Sequence, residues 1–144
     1  MTSTVIYEGE LRTVALHNAS GTTIETDAPV DNQGKGERFS PSDLVATALG
    51  SCMLTIMGQR ARDLDIPLKG TSIDIQKTMK TDPRRIAGLS LTFHLPAGLH
   101  LSEKHKIILQ RAAETCPVKY SIHPDIDVQI NFNWHTAVED FSTY

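Results

Sequence analysis

The chain is short of cysteine. It has two in 144 residues, Cys52 and Cys116, so no disulfide framework holds it together. None is needed, because a chain of this length buries about two-thirds of its surface on folding, and one domain over residues 1–144 is expected. Positive charge is also scarce. Fourteen Lys and Arg face 17 Asp and Glu, for a net charge of −3, and no basic run exceeds Arg84–Arg85. Phosphate binding wants a clustered positive field, so nucleic acid is not an expected partner. Long apolar runs are missing too. The uncharged stretch Leu44 to Gln59 has 16 residues and is interrupted by Thr47, Gly50, Ser51 and Thr55. A bilayer span needs about 20, so no membrane is expected either. The opening, Met1 to Glu8, carries no basic start and no apolar stretch. A cytoplasmic protein is therefore expected, in which two cysteines serve as thiols rather than staples. GxSxG, GxxxxGK[ST], GxGxxG, CxxC and HxxxH are all absent, and with them the common hydrolase, nucleotide, dinucleotide and zinc signatures. The histidines (His17, His94, His100, His105, His123 and His135) lack metal-ligand spacing and read as scattered surface residues.

What remains is an ordinary globular composition, 40% hydrophobic and 22% charged. Val5 to His17 is rich in β-formers with room for a bulge at Gly9. Asn18-Ala-Ser-Gly21 supplies a turn, and Thr22 to Thr26 returns as a strand. Asp31 to Glu37 reads as a loop. Ser40 then suits a helix N-cap, with Pro41 at the first helical position and Asp43 closing an approximate capping box. The helix is expected from Pro41 to about Leu64, ahead of Pro67. Its apolar residues surround the wheel, and a helix apolar on all sides is buried on all sides. A chain this short struggles to cover it, so a second copy is expected to help. Beyond Pro67 the period becomes two. Ile73, Ile75 and Met79 share a face, with Lys77 the exception, and Leu89, Leu91, Phe93 and Leu95 alternate with polar residues. Ser102 caps a second helix, Glu103 to about Thr115, which Pro117 breaks. Ile126 to Asn133 alternates as a last strand. The order is ββ-α-ββ-α-β, an α+β domain of mostly antiparallel sheet with a long buried central helix.

Cys52 lies midway along that helix, beside Val45, Ala48, Leu49, Thr55, Ile56, Gln59 and Asp63 on the wheel. From spacing alone it reads as a buried thiol packing like a small hydrophobe. A reactive thiol needs a cation, a helix N-terminus or a metal, so an activating group has to come from another element or another chain. Cys116 differs. Cys116-Pro117-Val118 reads as the start of a short third helix, whose terminal amides favour the thiolate. A cysteine filling a gap at a helix break is the equal alternative.

The stretch Phe39-Ser-Pro-Ser-Asp-Leu-Val-Ala-Thr-Ala-Leu-Gly-Ser-Cys52, followed 64 residues later by Cys116-Pro-Val, resembles the osmotically inducible / organic hydroperoxide resistance (OsmC/Ohr) family. That family has a Pro-acid-Leu-led central helix with a cysteine about three turns in, then a second cysteine in a Cys-Pro motif. The resemblance covers essentially the whole chain. It implies an intertwined homodimer and a thiol-dependent peroxidase for organic hydroperoxides, with Cys52 as peroxidatic thiol and Cys116 as resolving thiol. It implies a dithiol reductant, lipoyl-type in the better-known branch, and no metal, haem or flavin. In the hydroperoxide-resistance branch a Glu stands ten residues before the first cysteine. Here Ser42 stands there, and Asp43 reads as a capping residue. The branch's activating Arg lies in the first hairpin or the loop before the helix, which makes Arg12 and Arg38 the candidates. Each taken singly reads as a solvated surface charge. These departures point to the OsmC-like branch. Two rival readings stay open: a non-catalytic dimer binding a small apolar or acyl ligand, and a hot-dog-type thioesterase. The latter wants a carboxylate or histidine in the cleft, and the helix has no acid between Asp43 and Asp63.

Overall fold

A computed structural model describes residues 1–134, so His135 lies outside the described residues. The described residues gather into two units, 1–45 and 46–134. The first holds an antiparallel sheet ordered β1-β2-β3, with β1 Ser3–Gly9, β2 Arg12–His17 and β3 Thr23–Asp27. The bulge expected at Gly9 is present as a register shift between Tyr7 and Gly9. The single strand expected from Val5 to His17 is not. The chain reverses through Glu10 and Leu11, with φ of 54° and 63°, and these two residues divide it. Paired positive φ suits the twist of a tight hairpin but is usually signalled by Asn or Gly, so these residues did not announce the turn. The following loop contains one 3-10 turn, Val30–Asn32. There the N–H groups of Gly34 and Gly36 donate back to the carbonyls of Pro29 and Ala28. A Cβ on residue 34 would lie 1.8 Å from the Ala28 oxygen, so only glycine fits.

Helix α1, Pro41–Asp63, starts as its residues dictate. The Asp43 N–H donates to Ser40 Oγ, and the Ser40 N–H donates to Asp43 Oδ2, both at 3.0 Å. This is the reciprocal capping box, with Asp in the place usually held by Glu. A single chain buries one face of the helix, formed by Ala46, Leu49, Gly50, Met53, Met57 and Ala61. Cys52, Leu54 and Ile56 are half-buried, while Val45 and Ala48 stand exposed.

The second unit carries strands β4 (Ser72–Lys80), β5 (Arg85–His94) and β6 (Asp127–Asn133), in that order across the sheet. As expected, β4 and β5 form an antiparallel pair with alternating burial, and Lys77 sits on the inward, half-buried side. β6 instead runs parallel to β5, Leu91 opposite Ile130. A parallel neighbour needs a long crossover, here supplied by α2 (Glu103–Glu114) and α3 (Pro117–Ser121). Leu49, Met53, Met57, Leu91, Phe93, Leu109 and Ala113 are each 0% exposed and form the centre of the core. Phe93 stacks on Phe132 with centroids 4.6 Å apart, and Trp134 follows at 5.5 Å from Phe132. Among the described residues no helix is long and apolar enough to cross a membrane.

Candidate active site

Cys52 sits on α1 two residues beyond Gly50. A Cβ at Gly50 would lie 2.7 Å from Ile75 Cδ1 and 3.6 Å from Leu91 Cδ2. The glycine therefore lets the helix settle on β4 and β5, and so sets the height of Cys52 above the sheet. Cys116 is the N-cap of α3, with Pro117 at the first helical position, and its side chain is fully buried. The Lys119 N–H donates to Cys116 Sγ at 3.3 Å, the amide contact expected of a cysteine at a helix start. The expected consequence, a favoured thiolate, does not follow. Burial pushes the Cys116 thiol above its ordinary value, and the neighbouring Cys52 pushes the same way, against the Lys119 and Val118 amides. Desolvation outweighs two amide dipoles because the charged form has lost its water. Cys52 thus lies close enough to Cys116 to act on its titration, although the two are 64 residues apart in sequence.

The two candidate arginines belong to the first unit. Arg12 is not a solvated charge. Its Nε donates to Asp27 Oδ1 at 2.7 Å and its Nη2 to Asp27 Oδ2 at 2.8 Å and Glu37 Oε1 at 2.9 Å. Asp27 is fully buried and also accepts the Glu37 N–H at 3.1 Å. The guanidinium, followed by that amide, holds the Asp27 carboxyl down at about 2, while the same pairing raises Arg12 above its ordinary value. Arg38 stays closer to the expected surface charge. Its Nε donates to Glu25 Oε1 at 3.0 Å and its Nη1 to the Glu37 carbonyl at 3.1 Å.

A groove of about 470 Å³ opens between α1 and α2. Ile56, Gln59, Arg60 and Asp63 line it from α1, Arg111 from α2 and Thr115 from the C-cap of α2. Ile56, Gln59 and Asp63 continue the helical stripe that begins at Cys52, and Thr115 immediately precedes Cys116. Neither cysteine lines the groove itself. The stripe was legible on the wheel of α1. Arg60 and Arg111 were not, because their convergence depends on how α1 and α2 lie side by side. The described histidines take local roles. His94 Nε2 bonds Asp74 Oδ2 at 2.9 Å, and His17 Nδ1 lies 2.6 Å from Ser20 Oγ. Among the described residues no cluster of three His, Cys, Asp or Glu could hold a metal ion.

A family model described as OsmC-like protein matches residues 34–131. A Psychrobacter arcticus protein, proposed to be an osmotic stress induced and detoxification response protein, is similar at 49% identity with a TM-score of 0.88, over 92% of this chain and 96% of its own. An organic hydroperoxide resistance protein of Legionella pneumophila, OsmC, has a TM-score of 0.71 at 19% identity, over 92% of this chain and 97% of its own. OhrB, the organic hydroperoxide resistance protein of Bacillus subtilis, has a TM-score of 0.64 at 18% identity, over 92% and 98%. The last two likenesses concern the fold alone. No curated protein matches the chain.

Proposed function

The chain belongs to the OsmC-like protein family, and from that premise we propose that it detoxifies organic hydroperoxides as a thiol-dependent peroxidase, residues 1–144 acting as one domain. What supports this reading is the nearness of Cys52 to Cys116, close enough for Cys52 to push the Cys116 thiol up. Cys52, the half-buried partner, takes the first step. Its thiolate attacks the terminal peroxide oxygen, the O–O bond breaks, the alcohol leaves with a proton, and Cys52 becomes a sulfenic acid. Cys116 is fully buried and kept as a thiol by burial, which suits the second step. Its sulfur attacks Cys52 Sγ, the S–OH bond breaks, water leaves with the Cys116 proton, and a disulfide forms. A dithiol reductant exchanges with that disulfide, restores both thiols and is itself oxidised to a disulfide. No cofactor enters these steps.

Arg12 and Arg38 are the proposed sources of positive charge for Cys52. Arg38 shares its charge with one carboxylate, Glu25, whereas Arg12 is matched by Asp27 and Glu37. Arg38 is the better donor on that ground. The protein is proposed to work as the intertwined homodimer of its family. Val5, Ile6 and Tyr7 on β1 are 53% to 64% exposed in the single chain, an apolar surface that a second copy would cover. A reducing compartment, the cytoplasm, suits two unpaired cysteines. The test is a steady-state assay with an organic hydroperoxide and dihydrolipoic acid, read together with mass spectrometry of the thiols. Saturable consumption and a Cys52–Cys116 disulfide are expected. Inert thiols without turnover would overturn the reading in favour of a non-catalytic ligand binder.

A further inference from the structure

Cys116 does two things at once. Its sulfur caps α3, accepting the Lys119 N–H at 3.3 Å, and it lies close to Cys52. Little else holds α3. Its five residues, Pro117–Ser121, are too few for a helix to persist unaided. The Lys119 and Tyr120 N–H groups donate to the Cys116 carbonyl at 3.1 and 3.4 Å, and the Ile122 N–H donates to the Val118 carbonyl at 3.1 Å. Val118 and Ile122 pack on the core cluster that contains Cys116, and so form part of its cover. The single chain already buries Cys116 completely, so a second copy can only preserve that burial.

The burial has a consequence for the return from disulfide to thiols. A dithiol that attacks Cys52 Sγ breaks the S–S bond and sends the electron pair to Cys116 Sγ. That thiolate forms without water around it, which makes it a poor leaving group. Attack on Cys116 Sγ, with Cys52 leaving, requires the reductant to reach a fully covered atom. Either route needs the cover over Cys116 to open. Oxidation supplies the means. Once bonded to Cys52, the Cys116 sulfur is placed by α1 and by the geometry of the disulfide, no longer by the amides of α3. We propose that α3 is a redox-sensitive lid over Cys116, capped shut by the thiol and released when Cys116 bonds to Cys52. Released, it lets the dithiol and water in, and the regenerated thiol caps it again. The proposal rests on the peroxidase reading above and adds a conformational step between oxidation and reduction.

The test reads amide hydrogen exchange of the full chain by mass spectrometry, in the reduced form and after oxidation by diamide. Diamide takes two electrons and two protons from the thiol pair without any peroxide. Exchange at Lys119 to Ile122 should quicken about fivefold in the disulfide form, the worth of a lost N-cap, while the amides of β5 keep their rates. Cys116→Ser keeps a capping oxygen and cannot form the disulfide, so α3 should stay closed before and after diamide. Unchanged exchange in the disulfide form, equal quickening across β5, or quickening in Cys116→Ser would overturn the proposal. An organic hydroperoxide in place of diamide separates the two claims. Quickening with diamide but no disulfide with the hydroperoxide would keep the lid and sink the peroxidase. Turnover through a disulfide with α3 exchange unchanged would do the reverse. No disulfide with either oxidant would overturn both.

Discussion

In residues 46–134 the side chains withdrawn from water include Leu49, Met53, Leu91, Phe93 and Leu109, whereas in residues 1–45 they are Thr26, Asp27 and Ser40. The exposed apolar side chains divide the opposite way. Val5, Ile6, Tyr7, Leu11, Ile24 and Phe39 belong to the first stretch, against Ile107 and Tyr120 in the second. One unit is thus held by an apolar core between a helix and a sheet, which is non-directional and tolerant of small shifts. The other is a three-stranded sheet too thin for a core of its own, and directional bonds organise it. The Arg12–Asp27–Glu37 cluster ties β2, β3 and the following loop, and the Ser40–Asp43 box starts the helix. The proposed chemistry sits in the unit with the solid core, where two sulfurs can be held in register.

The severest test of this contrast is Cys52→Ser, expected to reduce peroxide turnover to the uncatalysed background while the protein stays folded by circular dichroism. Cys116→Ser should permit the first step and let Cys52 climb to the sulfinic state, visible by mass spectrometry. Next in size is the core. Leu91→Ala should cost about 2–5 kcal/mol by urea denaturation, the usual range for a buried leucine. Arg12→Gln should then lower the melting midpoint more than Arg38→Gln, because it leaves a buried carboxylate without its partner. Peroxide kinetics of the same pair would show whether Arg38 is the stronger activator. The pH dependence of the Arg12 cluster has a defined sign. The Asp27 carboxyl is depressed to about 2, so its contribution is complete above the ordinary carboxylate value of about 3.9 and fades as pH falls towards 2. Denaturation of Asp27→Asn should lack that component. The smallest effect concerns Cys116, whose thiol is raised by burial. Stopped-flow rates of disulfide formation should therefore keep climbing with pH past the ordinary thiol value of about 8.5.

Where local chemistry decides structure, the residues could be read directly. Ser40-Pro-Ser-Asp43 specified the start of α1, the alternation of Leu89 to Leu95 marked a half-buried strand, and Cys116-Pro117 marked the opening of α3. The OsmC-like identity was legible in the two cysteine motifs and their separation. What escaped depended on backbone conformation or on distant partners. The Glu10–Leu11 turn escaped because neither residue type favours positive φ. The parallel pairing of β6 escaped because alternation is the same in either direction. The buried role of Arg12 required Asp27 to come opposite it, a register set by β2 and β3. The wall that Arg60 and Arg111 build required two helices to converge. Desolvation of Cys116 reversed a trend inferred from helix amides alone.

The parallel placement of β6 also orders events in time. The antiparallel pairs β1–β2, β2–β3 and β4–β5 join neighbours along the chain and can close early. β6 can meet β5 only after both helices of the crossover have been made, and Cys116 lies within that crossover. A chain emerging from synthesis therefore carries Cys52 for an interval before its partner arrives. On the proposed peroxidase reading, oxidant met during that interval finds Cys52 without its resolving thiol. Refolding the denatured protein in the presence of peroxide should accordingly yield irreversibly oxidised or cross-linked chains, whereas the same peroxide added after folding should leave the protein recoverable by a dithiol.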